Sequence, residues 1–137
     1  MMTQENKDLL LKDLCARLPY GVKGIVENGI KVTTPSEWPV EKSIEFSMRY
    51  MVIKNGWKPY LFPMSSMTEE QQNEFDRTYA NDMQVVSNNL KNRLDGQSYE
   101  MNLGHYRHID WLNANHLDYR GLIEKGLALD ATGLNIY

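Results

Sequence analysis

Residues 68–96, TEEQQNEFDRTYANDMQVVSNNLKNRLDG, decide how the rest of the chain is read. Phe75, Tyr79, Met83, Val86, Leu90 and Leu94 recur at steps of 4, 4, 3, 4 and 4, which is one narrow apolar stripe on an α-helix. Thr68 and Gln71 have capping-box spacing, and Glu69 and Glu70 suit the positive end of the helix dipole. Gly96 stands at the C′ place, where a helix stops. The stripe is short and its flanks lack regular opposed charges, so a docked helix is expected rather than a coiled-coil seam. Val86 and Leu90 are expected to be buried against a sheet.

Toward the N-terminus, residues 3–18 predict a second helix, capped by Thr3 and stopped by Pro19. Leu10, Leu11, Leu14 and Leu18 form its apolar face, with Cys15 among them as a buried structural thiol. Asp8 with Lys12, and Asp13 with Arg17, read as opposite-charge pairs on the wet side. Tyr20–Thr34 switches to period two around Asn28-Gly29, the residues of a type I′ turn. That turn sets Glu27 opposite Ile30 and Ile25 opposite Val32, and puts Ile25, Ile30 and Val32 on one face. Pro35 and Pro39 around Trp38 predict an irregular connection or a protected edge. Ile44, Phe46, Met48, Tyr50 and Val52 alternate with other residues, so Ile44–Ile53 reads as the clearest strand. After a second turn at Asn55-Gly56, Trp57–Phe62 reads as a short strand, broken by Pro59 and closed by Pro63.

In the tail, Ile109, Leu112 and His116 line one short helix. Leu117, Tyr119, Leu122 and Ile123 continue into another that ends at Gly126. Ala131–Tyr137 is short and apolar enough to dock as an extended strand. The expected fold is one α+β domain. It has an N-terminal helix, a small antiparallel sheet of three or four strands, a long helix and two short C-terminal helices over one face.

A net charge of −3 argues against a whole-protein electrostatic grip on nucleic acid. One cysteine precludes an internal disulfide and suits a reducing cytosol. Charges interrupt the only N-terminal apolar run, and no stretch reaches the length of a membrane span, so a cytoplasmic protein without a signal peptide is expected.

Three blocks carry a resemblance: Lys12–Gly21 (KDLCARLPYG), Lys58–Gln71 (KPYLFPMSSMTEEQ) and Ile109–Tyr137 (IDWLNANHLDYRGLIEKGLALDATGLNIY). In this order they resemble a family of short proteins encoded in prophages and other mobile elements of gut Bacteroidetes. The resemblance implies a bacterial, phage-derived, cytoplasmic protein and carries over no catalytic residue. His105 and His108 lie outside the blocks.

Candidate chemistry concentrates in the last third. His105 and His108 are three apart on a helix, and residues from the following turns, such as Asp118 or His116, could add ligands toward a tetrahedral set. The chain has no CxxC or HExxH, so no metal and no cofactor are expected. Asp110 and Asp118 are eight apart, too far for a dyad on one helix, and the nucleophile-elbow and phosphate-loop motifs are missing. Lys91, Arg93, Arg107 and His108 interleave with Tyr99, Tyr106 and Trp111, a pattern suited to stacking on unpaired bases. Glu100, Asp110 and Asp118 dilute that field. Tyr50, Trp57, Tyr60, Phe62, Met64 and Met67 offer the aromatic and methionine side chains that anchor protein interfaces. The expected function is therefore non-enzymatic: an accessory protein of a mobile element that binds another protein or a second copy of itself. Trp57, Tyr60, Phe62, Tyr106, Arg107 and Trp111 are its binding residues. The alternative is a nucleic-acid-binding accessory protein.

Overall fold

Helix α1 (Gln4–Arg17) starts where the sequence predicts, with Thr3 Oγ1 accepting from the Asn6 N–H at 3.1 Å. The computed structural model describes residues 2–38, 44–94 and 106–137, with the side chains of residues 44–46, 86 and 89–94 outside the described set. The chain forms two compact units: Met1–Ser66 with His116–Tyr137, and Met67–Asn115. The α+β class holds.

The first unit holds α1, the helix α2 (Ile44–Arg49) and a mixed four-stranded sheet. Its strands are β1 (Gly24–Ile25), β2 (Lys58–Pro63), β3 (Leu117–Asp118) and β4 (Leu129–Asp130). β1 pairs antiparallel with β2, placing Gly24 opposite Pro59. β3 and β4 pair parallel with β2, at Phe62–Leu117 and Tyr60–Leu129. The expected all-antiparallel sheet is corrected here. A long helical connection separates β2 from β3, and such a crossover lets the chain return in the same direction. Pro59 does not break β2. It is buried within the strand, opposite a glycine. A Cβ at Gly24 would run into the Lys58 carbonyl and the Trp57 ring, so β1 and β2 meet this closely only with glycine there.

The core of this unit gathers Leu10, Leu14, Val22, Trp38, Met48, Val52, Trp57, Leu61, Leu122 and Leu127. Trp38 and Trp57 meet edge to face, with centroids 5.0 Å apart. The buried side of α1 is Leu10, Asp13, Leu14 and Arg17, spaced 3, 1 and 3. This overturns two expectations. The Asp13–Arg17 pair is wholly buried rather than on the wet side, and Cys15, rotated off that face, is exposed rather than buried.

Only the open end of the predicted hairpin forms. Gly24 and Thr33 exchange both backbone hydrogen bonds, at 2.9 and 2.8 Å, in the expected register. The turn itself shifts by one residue: Gly29 N–H donates to the Val26 carbonyl, and Asn28 rather than Gly29 takes a positive φ of 60°. Ile30 then points to water at 99% exposure, so the shared face of Ile25, Ile30 and Val32 does not exist.

Ile44–Ile53 is not a strand. It is α2 followed by a π-helical turn (Tyr50–Lys54), closed by Asn55 N–H to the Tyr50 carbonyl at 3.1 Å. Met48 and Val52 are buried and four apart, so one helical face satisfies the same apolar residues that suggested alternation. Gly56, at φ 65°, turns the chain out of the helix into β2. The second tail helix is also absent. After β3, residues 119–126 run through turns, and beyond β4 the chain makes a turn at Ala131–Leu134 instead of a strand. His116 lies past the end of the preceding helix at φ 57°, not on its stripe.

The second unit pairs α3 (Glu69–Leu94) with α4 (Arg107–Ala114). The capping box forms as read: Thr68 N–H donates to Gln71 Oε1 at 3.0 Å and Gln71 N–H to Thr68 Oγ1 at 3.1 Å. The side chains of Val86 and Leu90, and the stop at Gly96, lie outside the described residues.

Candidate functional site

In the second unit, α3 and α4 bring together an acid, a histidine and four aromatic rings. Asp82 follows Phe75 and Tyr79 on the apolar stripe, a polar residue at a position the helical period assigns to the buried face. Asp82 Oδ2 accepts from the His108 backbone N–H at 2.8 Å and contacts His108 Nδ1 at 2.5 Å. A carboxylate only accepts, so the Nδ1 facing it carries a proton. Burial pushes the Asp82 carboxyl up. Hydrogen bonds from the His108 backbone, the His108 ring and the Arg107 backbone outweigh this and hold it below its ordinary range.

Aromatic rings surround the pair. Tyr79 and Phe75 meet the His108 ring edge-on at 5.0 and 6.1 Å, and Tyr106 tilts against it at 5.4 Å. Trp111 lies 5.8 Å from Phe75. The pair joins α3 to α4. Tyr79 is 47% exposed, Arg107 is exposed, and Phe75, Tyr106 and Trp111 are partly buried. Of the predicted binding residues, Tyr106 and Trp111 lie among these rings, and Arg107 is exposed at the start of α4.

The other three belong to β2 and its approach in the first unit. Trp57 is a core residue with Nε1 donating to Thr33 Oγ1 at 3.3 Å, so it offers no surface to a partner. Tyr60 and Phe62 are partly buried and spent locally. The Tyr60 carbonyl accepts from Tyr137 Oη at 2.7 Å, and Phe62 packs on the Tyr137 ring at 5.9 Å.

Two polar clusters in the first unit escaped the sequence reading. Asp13 holds Arg17 Nε at 2.7 Å and Arg120 Nη1 at 2.8 Å, one cation on each oxygen. Arg17 Nη2 donates to the Leu117 carbonyl at 2.7 Å, and both guanidinium groups lie over the Tyr119 ring. Arg17 Nη1 is buried without a hydrogen-bond partner. The sequence signal for this cluster was the spacing of Asp13 and Arg17 alongside Leu10 and Leu14. Nearby, His116 stacks on Tyr137 at 3.6 Å. Tyr137 Oη accepts from the Lys23 N–H at 2.7 Å, and burial pushes this hydroxyl up to about 12.

Burial first, then the Arg17 and Lys23 cations, push His116 down from 6.5 to about 4. Between those values the unfolded chain binds the proton and the folded chain does not. Stability is therefore full above about pH 6.5 and falls as pH drops toward 4. Urea titrations at pH 7 and pH 4.5 should show the loss. His116→Asn, a residue that accepts positive φ, should flatten that slope. Equal pH dependence in both proteins would refute this assignment.

Asp118 is structural: its two oxygens accept from the Leu122 and Ile123 N–H groups, each at 2.9 Å. Asp110 is partly buried on α4. His105, Tyr99 and Glu100, and the side chains of Lys91 and Arg93, lie outside the described residues. Among the described residues, no group of three His, Cys, Asp or Glu is placed to hold a metal ion, and no helix is long and apolar enough to cross a membrane. No protein family, curated protein or solved structure matches the chain.

Proposed function

We propose that the chain is a non-enzymatic, phage-derived accessory protein of the bacterial cytoplasm, and that it binds another protein through the aromatic surface of α3 and α4. The phage origin rests on the resemblance of the three sequence blocks. The observation that carries the binding reading is Tyr79, 47% exposed amid Phe75, Tyr106, His108 and Trp111. Aromatic rings held in place by a buried carboxylate–histidine hydrogen bond lose little entropy on binding, which is why such residues dominate interface energetics. The non-enzymatic part is supported by the use already made of three carboxylates: Asp13, Asp82 and Asp118 each hold two structural hydrogen bonds.

The charge around the patch favours protein over nucleic acid. On the described turns of α3, Glu69, Glu70, Glu74 and Asp76 are exposed beside Arg77. Phosphates would be repelled there, whereas a partner with an apolar centre and a basic rim would fit.

The test uses the full chain as bait against lysate of a bacterial host, with crosslinking, beside Tyr79→Ala. One stoichiometric partner should be retained by the wild type and weakened at least about tenfold by the variant, which loses an exposed ring and stays folded. The same retained proteins with both baits would overturn the reading. Micromolar binding to single- or double-stranded nucleic acid at near-physiological salt, lost on Arg107→Ala, would replace it with the nucleic-acid alternative.

A further inference from the structure

We propose that the first unit carries a separate ligand site for a small amphipathic anion, a molecule with one carboxylate or phosphate group and an apolar body. The site is a cavity of about 540 Å³ beside the first turns of α1. That volume lies in the range of small-molecule pockets. Lys7, Lys58 and Lys125 line it, reaching it from α1, from the first residue of β2 and from the turn region after β3. Glu27 is the one acid in the lining, in a chain whose net charge is −3. This is a local reversal of the protein's charge.

The three ammonium groups are not engaged in structure. Among the described residues none of them has an ion-pair or hydrogen-bond partner. Three cations with one acid among them leave a positive excess, and a bound anion offsets it. The α1 N-terminus adds the positive end of its dipole on the side of Asn6 and Lys7. The apolar part of the lining is the partly buried Met2 and Ile53, backed by the core residues Val52 and Leu127. Cationic groups over an apolar floor are complementary to a charged head with a hydrocarbon body. They are poorly matched to a bare inorganic anion, which would leave the floor uncovered, or to a neutral alcohol, which would leave the lysines unpaired.

Octanoate is the probe, compared with octan-1-ol and inorganic phosphate by calorimetric titration and thermal melting of the full chain at low salt. Octanoate should bind one per chain and raise the melting temperature, with the alcohol and phosphate at least about tenfold weaker. The double variant Lys7→Gln, Lys125→Gln changes only side chains at the cavity mouth and should weaken octanoate about tenfold or more. Tyr79→Ala, in the other unit, should leave octanoate binding unchanged. Octanoate binding no tighter than octanol, or undiminished in the lysine variant, would overturn the site's charge recognition. Phosphate binding as tightly as octanoate would overturn its apolar component.

Discussion

Asp13→Ala should destabilise the protein by about 3–5 kcal/mol, because it strands a buried cation. Asp13 and Arg17 are both 0% exposed, and the carboxylate also holds Arg120 across 107 residues of sequence. With the carboxylate gone, Arg17 keeps one good hydrogen bond, to the Leu117 carbonyl, while Nη1 has none. Two guanidinium groups over one Tyr119 ring would then face each other without a counter-charge. The loss reflects an orphaned charge rather than the worth of the ion pair itself. Asp13→Leu combined with Arg17→Met should therefore recover much of the stability, since a packed apolar pair avoids the desolvation cost. Urea unfolding of the single and double variants measures both. A single variant within about 1 kcal/mol of wild type would mean that water reaches Arg17, contrary to the structure.

Trp57→Ala should cost about 3–5 kcal/mol and abolish cooperative unfolding near the wild-type temperature. The ring is fully buried, meets Trp38 edge to face and packs where β1 crosses at Gly24. Truncation leaves a cavity that the backbone cannot close, because Gly24 is pinned by two hydrogen bonds to Thr33. Trp57→Phe should cost clearly less. A melt unchanged in Trp57→Ala would restore Trp57 as a surface anchor. The contrast with Tyr79→Ala is the useful one: Tyr79 is expected to lose binding with little stability, and Trp57 to lose stability first.

Local chemistry determined much of this protein. The Thr3 cap and Pro19 bound α1, and the Thr68–Gln71 capping box starts α3, because these devices act between residues three or four apart and need no tertiary partner. The strand expected at Trp57–Phe62 forms as β2 and the α+β class holds, since turn and proline signals on either side bounded that segment. The aromatic side of α4 was legible in part. Tyr106, Arg107 and Trp111 were marked, but Asp82, which orients His108 from α3, was not, because a single acid on an apolar stripe gives no hint of its partner 26 residues away.

Tertiary structure decided the rest. Over Ile44–Ile53 a period of two and a helical period select overlapping apolar residues, and only the packing of Met48 and Val52 into one core chose the helix. The i,i+4 spacing of Asp13 and Arg17 is the same whether the pair faces water or core. Burial was settled by Leu117, Tyr119 and Arg120, which reach it from the far end of the chain. Strand direction followed likewise from where the chain re-entered the sheet after its helical connection. Periodicity reports which residues share a face. Which face is dry depends on partners that are distant in sequence, and that information lies in the fold.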